Sequence, residues 1–182
     1  MDYLYALQCL REAAPSFITY FFLFISEVSL YLSVLIVANL YWSLNKDDGA
    51  YIIMGYAGAI TVNECLKDIF CINRPWILDS RLHVDPLAKS SATGYSFPSG
   101  HTTTAASFFG GLALSLKKRK ALGIFLIVII FLVALSRNWL GAHTLKDVLV
   151  AICHTALMLC LVSFVKYFIS KKRIADALRL LL

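Results

Sequence analysis

The chain has 182 residues, of which 59% are hydrophobic, 13% aromatic and only 15% charged, and its mean hydropathy is +0.73. A soluble globular chain carries about 25% charged residues, so the composition excludes a soluble domain, a disordered tail, a disulfide scaffold and a coiled coil and indicates an integral membrane protein. The net charge of +6 does not point to nucleic acid: eight of the seventeen basic residues form two clusters, Lys117 to Lys120 and Lys171 to Arg173 with Arg179, each flanking an apolar block. That is the positive-inside pattern, and no soluble domain remains to read a nucleic-acid groove.

In chain order, Asp2 to Pro15 sets Tyr3, Leu4, Leu7 and Leu10 against Asp2, Arg11 and Glu12. This is helical spacing with one polar face, and predicts an interfacial helix lying on the membrane. Phe17 to Trp42 is a first span interrupted only by Glu27; it is too long for a signal-peptide core and no small-residue cleavage pattern follows, so it reads as a retained anchor. A polar turn, Asn45 to Gly49, leads to a second span from about Tyr51 to Ile72, whose second half holds Glu64, Lys67 and Asp68. Residues 73–100 form one long loop broken by Pro75, Pro86, Gly94, Pro98 and Gly100, and loops of that length in compact proteins are usually functional.

A third span runs from His101 to Leu116, and a fourth from Ala121 to Leu135. A polar segment, Ser136 to Lys146, precedes a fifth span from about Asp147 to Ile169, and Lys171 to Leu182 is basic and then amphipathic. The expected fold is therefore all-α: one transmembrane domain over residues 1–182, a bundle of about five membrane helices plus the N-terminal interfacial helix, with its motif-bearing core at about 60–150. The five cysteines (Cys9, Cys65, Cys71, Cys153, Cys160) form no C-x-x-C pair and read as small apolar packing residues. Counting crossings puts Lys46 and both basic clusters on one face, cytoplasmic by the positive-inside rule. The N-terminus, the 73–100 loop and the 136–146 segment share the other, extracytoplasmic face of what reads as a bacterial cytoplasmic membrane.

Three polar clusters carry the chemistry. Lys67 and Arg74 are seven residues apart, so on a continuous helix both point the same way, about 10 Å apart along the axis; a pair of cations snorkelling to headgroups is the bland alternative. Pro98-Ser99-Gly100-His101 opens the third span. Such a turn presents unpaired backbone amides and a positive helix end, a ready phosphate site, although Ser99 also suits a plain N-cap. His101 can exchange a proton near neutral pH. Finally come Ser136-Arg137, His143 and Asp147. His143 and Asp147 are four apart, a spacing that on a helical turn lets the carboxylate orient the ring, and Arg137 offers a planar fork for phosphate oxygens. All three clusters fall on the outer face and together make a phosphate-handling inventory.

The spacing Lys67-x6-Arg74-Pro75, then Pro98-Ser99-Gly100-His101, then Ser136-Arg137-x5-His143-x3-Asp147 resembles the signature of the type-2 phosphatidic acid phosphatase superfamily of membrane lipid phosphatases. Its better-known members have six spans, against five and an interfacial helix here. The resemblance implies that His143 is a nucleophile forming a phosphohistidine, that Asp147 orients it, and that His101 protonates the leaving alkoxide and then activates water. It also implies that Lys67, Arg74, Ser99, Gly100 and Arg137 hold the phosphoryl oxygens. Three fixed cations can supply the charge stabilisation that a metal gives elsewhere, so neither a cofactor nor a metal is expected. The implied partners are membrane lipids and a lipid phosphate substrate: a polyprenyl diphosphate such as undecaprenyl diphosphate, which the cations suit slightly better, or phosphatidylglycerol phosphate and phosphatidic acid.

A lipid phosphotransferase would share the first half of this reaction. A haem protein would need histidines well inside the membrane, and only His154 qualifies. A transporter would string charges along a path, whereas these gather at one end. Glu27 and Glu64 read as buried or protonated acids, with Glu64 a candidate partner for Lys67. His154 reads as a structural histidine, and Trp76, Tyr95 and Trp139 as interfacial aromatics.

Overall fold

The structure, a computed structural model, describes residues 1–39, 41–42, 46–116 and 119–181, with side chains as far as Ser170. Asn45, Lys117 and Lys118 lie outside the described residues, as do the side chains of Lys171, Lys172, Arg173 and Arg179. The described residues are mostly helical, in the order α1 (Asp2–Ala13), α2 (Ser16–Asn39), α3 (Lys46–Phe70), α4 (Pro75–Leu78), α5 (Pro86–Ser90), α6 (Gly100–Ser115), α7 (Lys120–Trp139) and α8 (Leu145–Leu181). By length and composition three of them can cross a membrane: α2, α7 and the Leu145–Ser170 part of α8.

The sequence places α3 and α6 among the spans as well, and both depart from that pattern for a physical reason. α6 is the centre of the bundle, packed by α2, α3, α7 and α8, and its sixteen residues reach only about 24 Å. A helix surrounded by protein need not be greasy, and Thr102, Thr103 and Ser107 are buried along it. α3 carries Asp47 and Asp48 in its first turn, where they complement the positive helix end. Lys46 to Gly49 therefore belongs to this helix and not to a polar turn.

Hydrocarbon offers no hydrophobic drive for helices to associate, so close packing must hold them. Ala105, Ala106 and Phe109 of α6 pack on Leu126, Ile130 and Val133 of α7. Ile52 of α3, Phe108 of α6 and Leu159 of α8 form a second cluster with Val37 of α2. A Cβ at Gly55 would come within 2.6 Å of the Leu159 side chain, and one at Gly111 within 3.0 Å of Ile52. The cysteines do not share in this packing: all five are free and exposed on the outside of the bundle.

Other boundaries shift too. α7 runs on through Ser136 and Arg137 to Trp139: the Ser136 hydroxyl donates to the Val133 carbonyl, and Arg137 is wholly buried with NH1 on Ser26 Oγ. The long loop holds two short helices, each opened by its proline at the first turn, where a missing N–H costs nothing. α1 does more than lie at an interface. Arg11 donates to the carbonyls of Trp139 and His83, Gln8 bonds the main chain of His83, and the Tyr3 hydroxyl accepts the Leu145 N–H, so its polar face clamps the segment before α5 and the junction of α7 and α8.

Candidate functional site

The end of α3, the start of α6, the end of α7 and the start of α8 meet at one end of the bundle and bring the three clusters together. Lys67 and Arg74 do not share a helix as their spacing suggests. α3 stops at Phe70, Cys71 takes a positive φ of 46°, and Arg74 instead becomes the N-cap of α4. The two cations then approach the site from different elements. Lys67 pairs with Glu64 at 2.8 Å, and its Nζ lies 3.7 Å from where a Gly100 Cβ would stand.

The segment from Arg137 to Asp147 is built from two cap motifs placed end to end. α7 closes with the Ala142 N–H bonding the Arg137 carbonyl, the Gly141 N–H bonding the Asn138 carbonyl, and Gly141 at φ 74°, the pattern of a Schellman motif. The His143 N–H also reaches the Arg137 carbonyl, at 3.2 Å. α8 then opens with a capping box: the Asp147 N–H donates to Thr144 Oγ1 at 3.3 Å and the Thr144 N–H to Asp147 Oδ2 at 2.8 Å. His143 sits between the two caps, ahead of α8 and not on its first turn as the four-residue spacing suggests.

His143 is almost fully buried, with Nδ1 3.6 Å from Asp147 Oδ2, an ion-pair distance longer than a hydrogen bond. Its Nε2 lies 2.9 Å from Arg74 NH1. A guanidinium has no acceptor, so Nε2 carries the lone pair and Nδ1 the proton facing Asp147. Burial, reinforced by the charges of Arg74 and Arg137, pushes the ring down to about 3 against the pull of Asp147. Arg74 also donates to the carbonyls of Gly94, Thr93 and Ala142, and its own burial lowers it, opposed by Asp147.

Arg137 gives NH1 to Ser26 Oγ at 2.9 Å, while its Nε and NH2 are buried without a partner. Buried donors of this kind are expensive unless something fills the space in front of them. Ser99 takes the capping role, its Oγ accepting from Thr102 N at 3.4 Å and Thr102 Oγ1 at 3.0 Å, and its N–H bonds the Asp147 carbonyl. His101, one residue inside α6, has Nε2 3.4 Å from Glu27 Oε1.

Three contributors escape the motif spacing. Ser96 donates to Asp147 Oδ2 at 2.6 Å and Asn63 Nδ2 to Thr103 Oγ1 at 2.9 Å; neither carries a signal in the sequence. Glu27 does, as an acid inside a span. The structural role read for His154 agrees with its ring lying against the Val150 and Ala59 carbonyls.

Residues 48–172 match the PAP2 superfamily. Phosphatidylglycerophosphatase B of Bacillus subtilis (strain 168) is 32% identical over 132 residues, covering 68% of this chain and 61% of that protein; the chain thus spans about three-fifths of its relative's length. The fold is similar to the crystal structure of a transmembrane PAP2 type phosphatidylglycerolphosphate phosphatase from Bacillus subtilis, with a TM-score of 0.72 and 25% identity, covering 92% of this chain and 86% of the other. LpxE of Aquifex aeolicus is a likeness of fold alone, with a TM-score of 0.71 and 21% identity over 86% of this chain and 92% of its own. A motif set gathered at one end of a helical bundle, inside a match that covers most of the chain, means that the protein belongs to the PAP2 superfamily.

Proposed function

We propose that the chain is a metal-independent lipid phosphatase, one transmembrane domain of five spans with its site on the extracytoplasmic face, working through a phosphohistidine at His143. The observation that carries this is the pair of contacts on the His143 ring: Arg74 on Nε2 at 2.9 Å and Asp147 beyond Nδ1 at 3.6 Å. They leave a neutral imidazole with its lone pair turned toward cations, which is what a nucleophile for a phosphate ester requires. Phosphoryl transfer is mostly positioning and charge stabilisation. Lys67, Arg74, Arg137, Ser99 and the Gly100 amide supply both.

In the first half, the Nε2 lone pair attacks phosphorus and the bond to the leaving oxygen breaks. The departing alkoxide takes a proton from His101, while Asp147 stabilises the positive charge on the phosphorylated ring. In the second half, water attacks phosphorus, His101 takes its proton, and the N–P bond breaks to release inorganic phosphate and free His143. Phosphatidylglycerol phosphate is the substrate favoured by the names of the similar Bacillus proteins. A polyprenyl diphosphate is the second candidate, favoured by the number of cations.

The test is phosphate release in detergent micelles from phosphatidylglycerol phosphate, phosphatidic acid, undecaprenyl diphosphate and glucose 6-phosphate. A lipid should be preferred, activity should survive excess EDTA and fall with vanadate, and His143→Ala should abolish turnover. Preference for glucose 6-phosphate would sink the lipid assignment, magnesium-restored loss in EDTA the metal-free one, and near-native turnover by His143→Ala the nucleophile.

A further inference from the structure

Glu27 stands in the middle of α2, outside the family match at 48–172, and no step above uses it. An acid inside a membrane helix is costly and calls for a partner. Here a single oxygen, Oε1, faces three groups: His101 Nε2 at 3.4 Å, Arg137 NH1 at 3.9 Å and the Ser91 hydroxyl, which donates to it at 3.3 Å. Its neighbour Ser26 accepts from the same Arg137 nitrogen. One turn of α2 therefore braces both His101 and Arg137.

His101 Nε2 is buried and has no hydrogen-bond partner at normal distance, so the Glu27 carboxylate is what that nitrogen faces. Contacts of this kind are often long in the empty site and tighten around substrate. The other charges acting on the ring are those of Arg137, from α7, and Arg74, from the segment before α4. Both are positive and oppose a charged imidazole, which the acid role of His101 requires.

We propose that Glu27 is a positioning residue for His101, holding Nε2–H so that Nδ1 faces the substrate and stabilising the imidazolium. This rests on His101 being the acid of the reaction above. The imidazolium Nδ1–H passes its proton to the leaving oxygen as the P–O bond breaks, which leaves a neutral ring still carrying Nε2–H toward Glu27. Nδ1 later takes a proton from the attacking water and restores the imidazolium. Glu27 remains ionised throughout, as Asp147 does beside His143. The site then holds two histidine–carboxylate pairs, one on the nucleophile and one on the acid.

The test compares kcat/KM for an alkyl phosphate, whose alkoxide needs a proton to leave, with that for a nitrophenyl phosphate, whose phenolate does not. It uses the full chain in micelles, with Glu27→Gln, Glu27→Asp and His101→Asn checked for native elution. In Glu27→Gln the alkyl ester should lose at least about tenfold more than the aryl ester, because general acid catalysis contributes on the order of a hundredfold or more. Glu27→Asp should recover part of that difference. Equal losses on both esters, or none, in Glu27→Gln while His101→Asn discriminates would overturn the role of Glu27 alone. Failure of His101→Asn to discriminate would overturn the acid assignment and the Glu27 proposal with it.

Discussion

At the scale of single residues, the His143 ring is a base kept neutral by its surroundings, and this couples stability to pH. In the unfolded chain an imidazole protonates with a pKa of about 6.5, whereas burial holds the native ring down to about 3. Between those values the unfolded state binds a proton that the native state does not, so stability falls as pH falls; above the unfolded value the effect vanishes. The melting temperature in micelles should drop on acidification from pH 7 toward 4, with His143 contributing a slope approaching about 1.4 kcal/mol per pH unit. His143→Gln, which cannot titrate, should show a shallower dependence, and identical slopes in the two proteins would mean that the ring is charged in the native site.

At the scale of elements, the spacing of the last motif has a structural explanation. Five residues between Arg137 and His143 are what a Schellman closure ending at Ala142 occupies, and three between His143 and Asp147 are what the capping box at Thr144 demands. Gly141 is the pivot. Its φ of 74° disfavours a side chain by about 1–2 kcal/mol, and a Cβ there would lie 3.3 Å from the His83 carbonyl. Gly141→Ala should destabilise the protein by roughly 2 kcal/mol and lower kcat, because the same turn aims His143. Gly123, inside α7 with the Ala113 carbonyl the one close atom among the described residues, 3.7 Å away, should accept Ala with no loss of either, since alanine favours helix. Denaturant titration alongside turnover checks both, and equal tolerance at the two positions would remove the turn from the account.

For the whole molecule, the alternation of the helices sets the site and the basic start of α7 at opposite ends, and the proposed orientation turns the site outward. Lys89 on α5 belongs to the site end and Lys120 at the start of α7 to the opposite end, and both are exposed. Because all five native cysteines are free and exposed, they must first be replaced. In that background, Lys89→Cys in intact cells should react with a membrane-impermeant thiol reagent and Lys120→Cys only after lysis. The opposite pattern would invert the orientation and place substrate binding at the cytoplasmic leaflet.

The amino-acid sequence by itself determined the membrane class, the approximate positions of the long helices and the three polar clusters that the fold brings to one end, because hydropathy is a local property and motif spacing is read along the chain. It also placed Glu64 beside Lys67, a contact within one helical turn. What it could not convey is which polar groups meet from distant elements. Ser96 reaches Asp147 across 51 positions, Asn63 reaches Thr103 across 40, and α1 reaches the first residue of α8 across 142. Arg74 left its expected helix face because Cys71 breaks α3, and Glu27 acquired His101 only because α2 packs against α6. Local spacing constrains a side chain to one face of its own segment, as it does for His143 and Asp147, but which distant neighbour occupies that face is decided by packing, and in this bundle packing is what pairs His101 with Glu27.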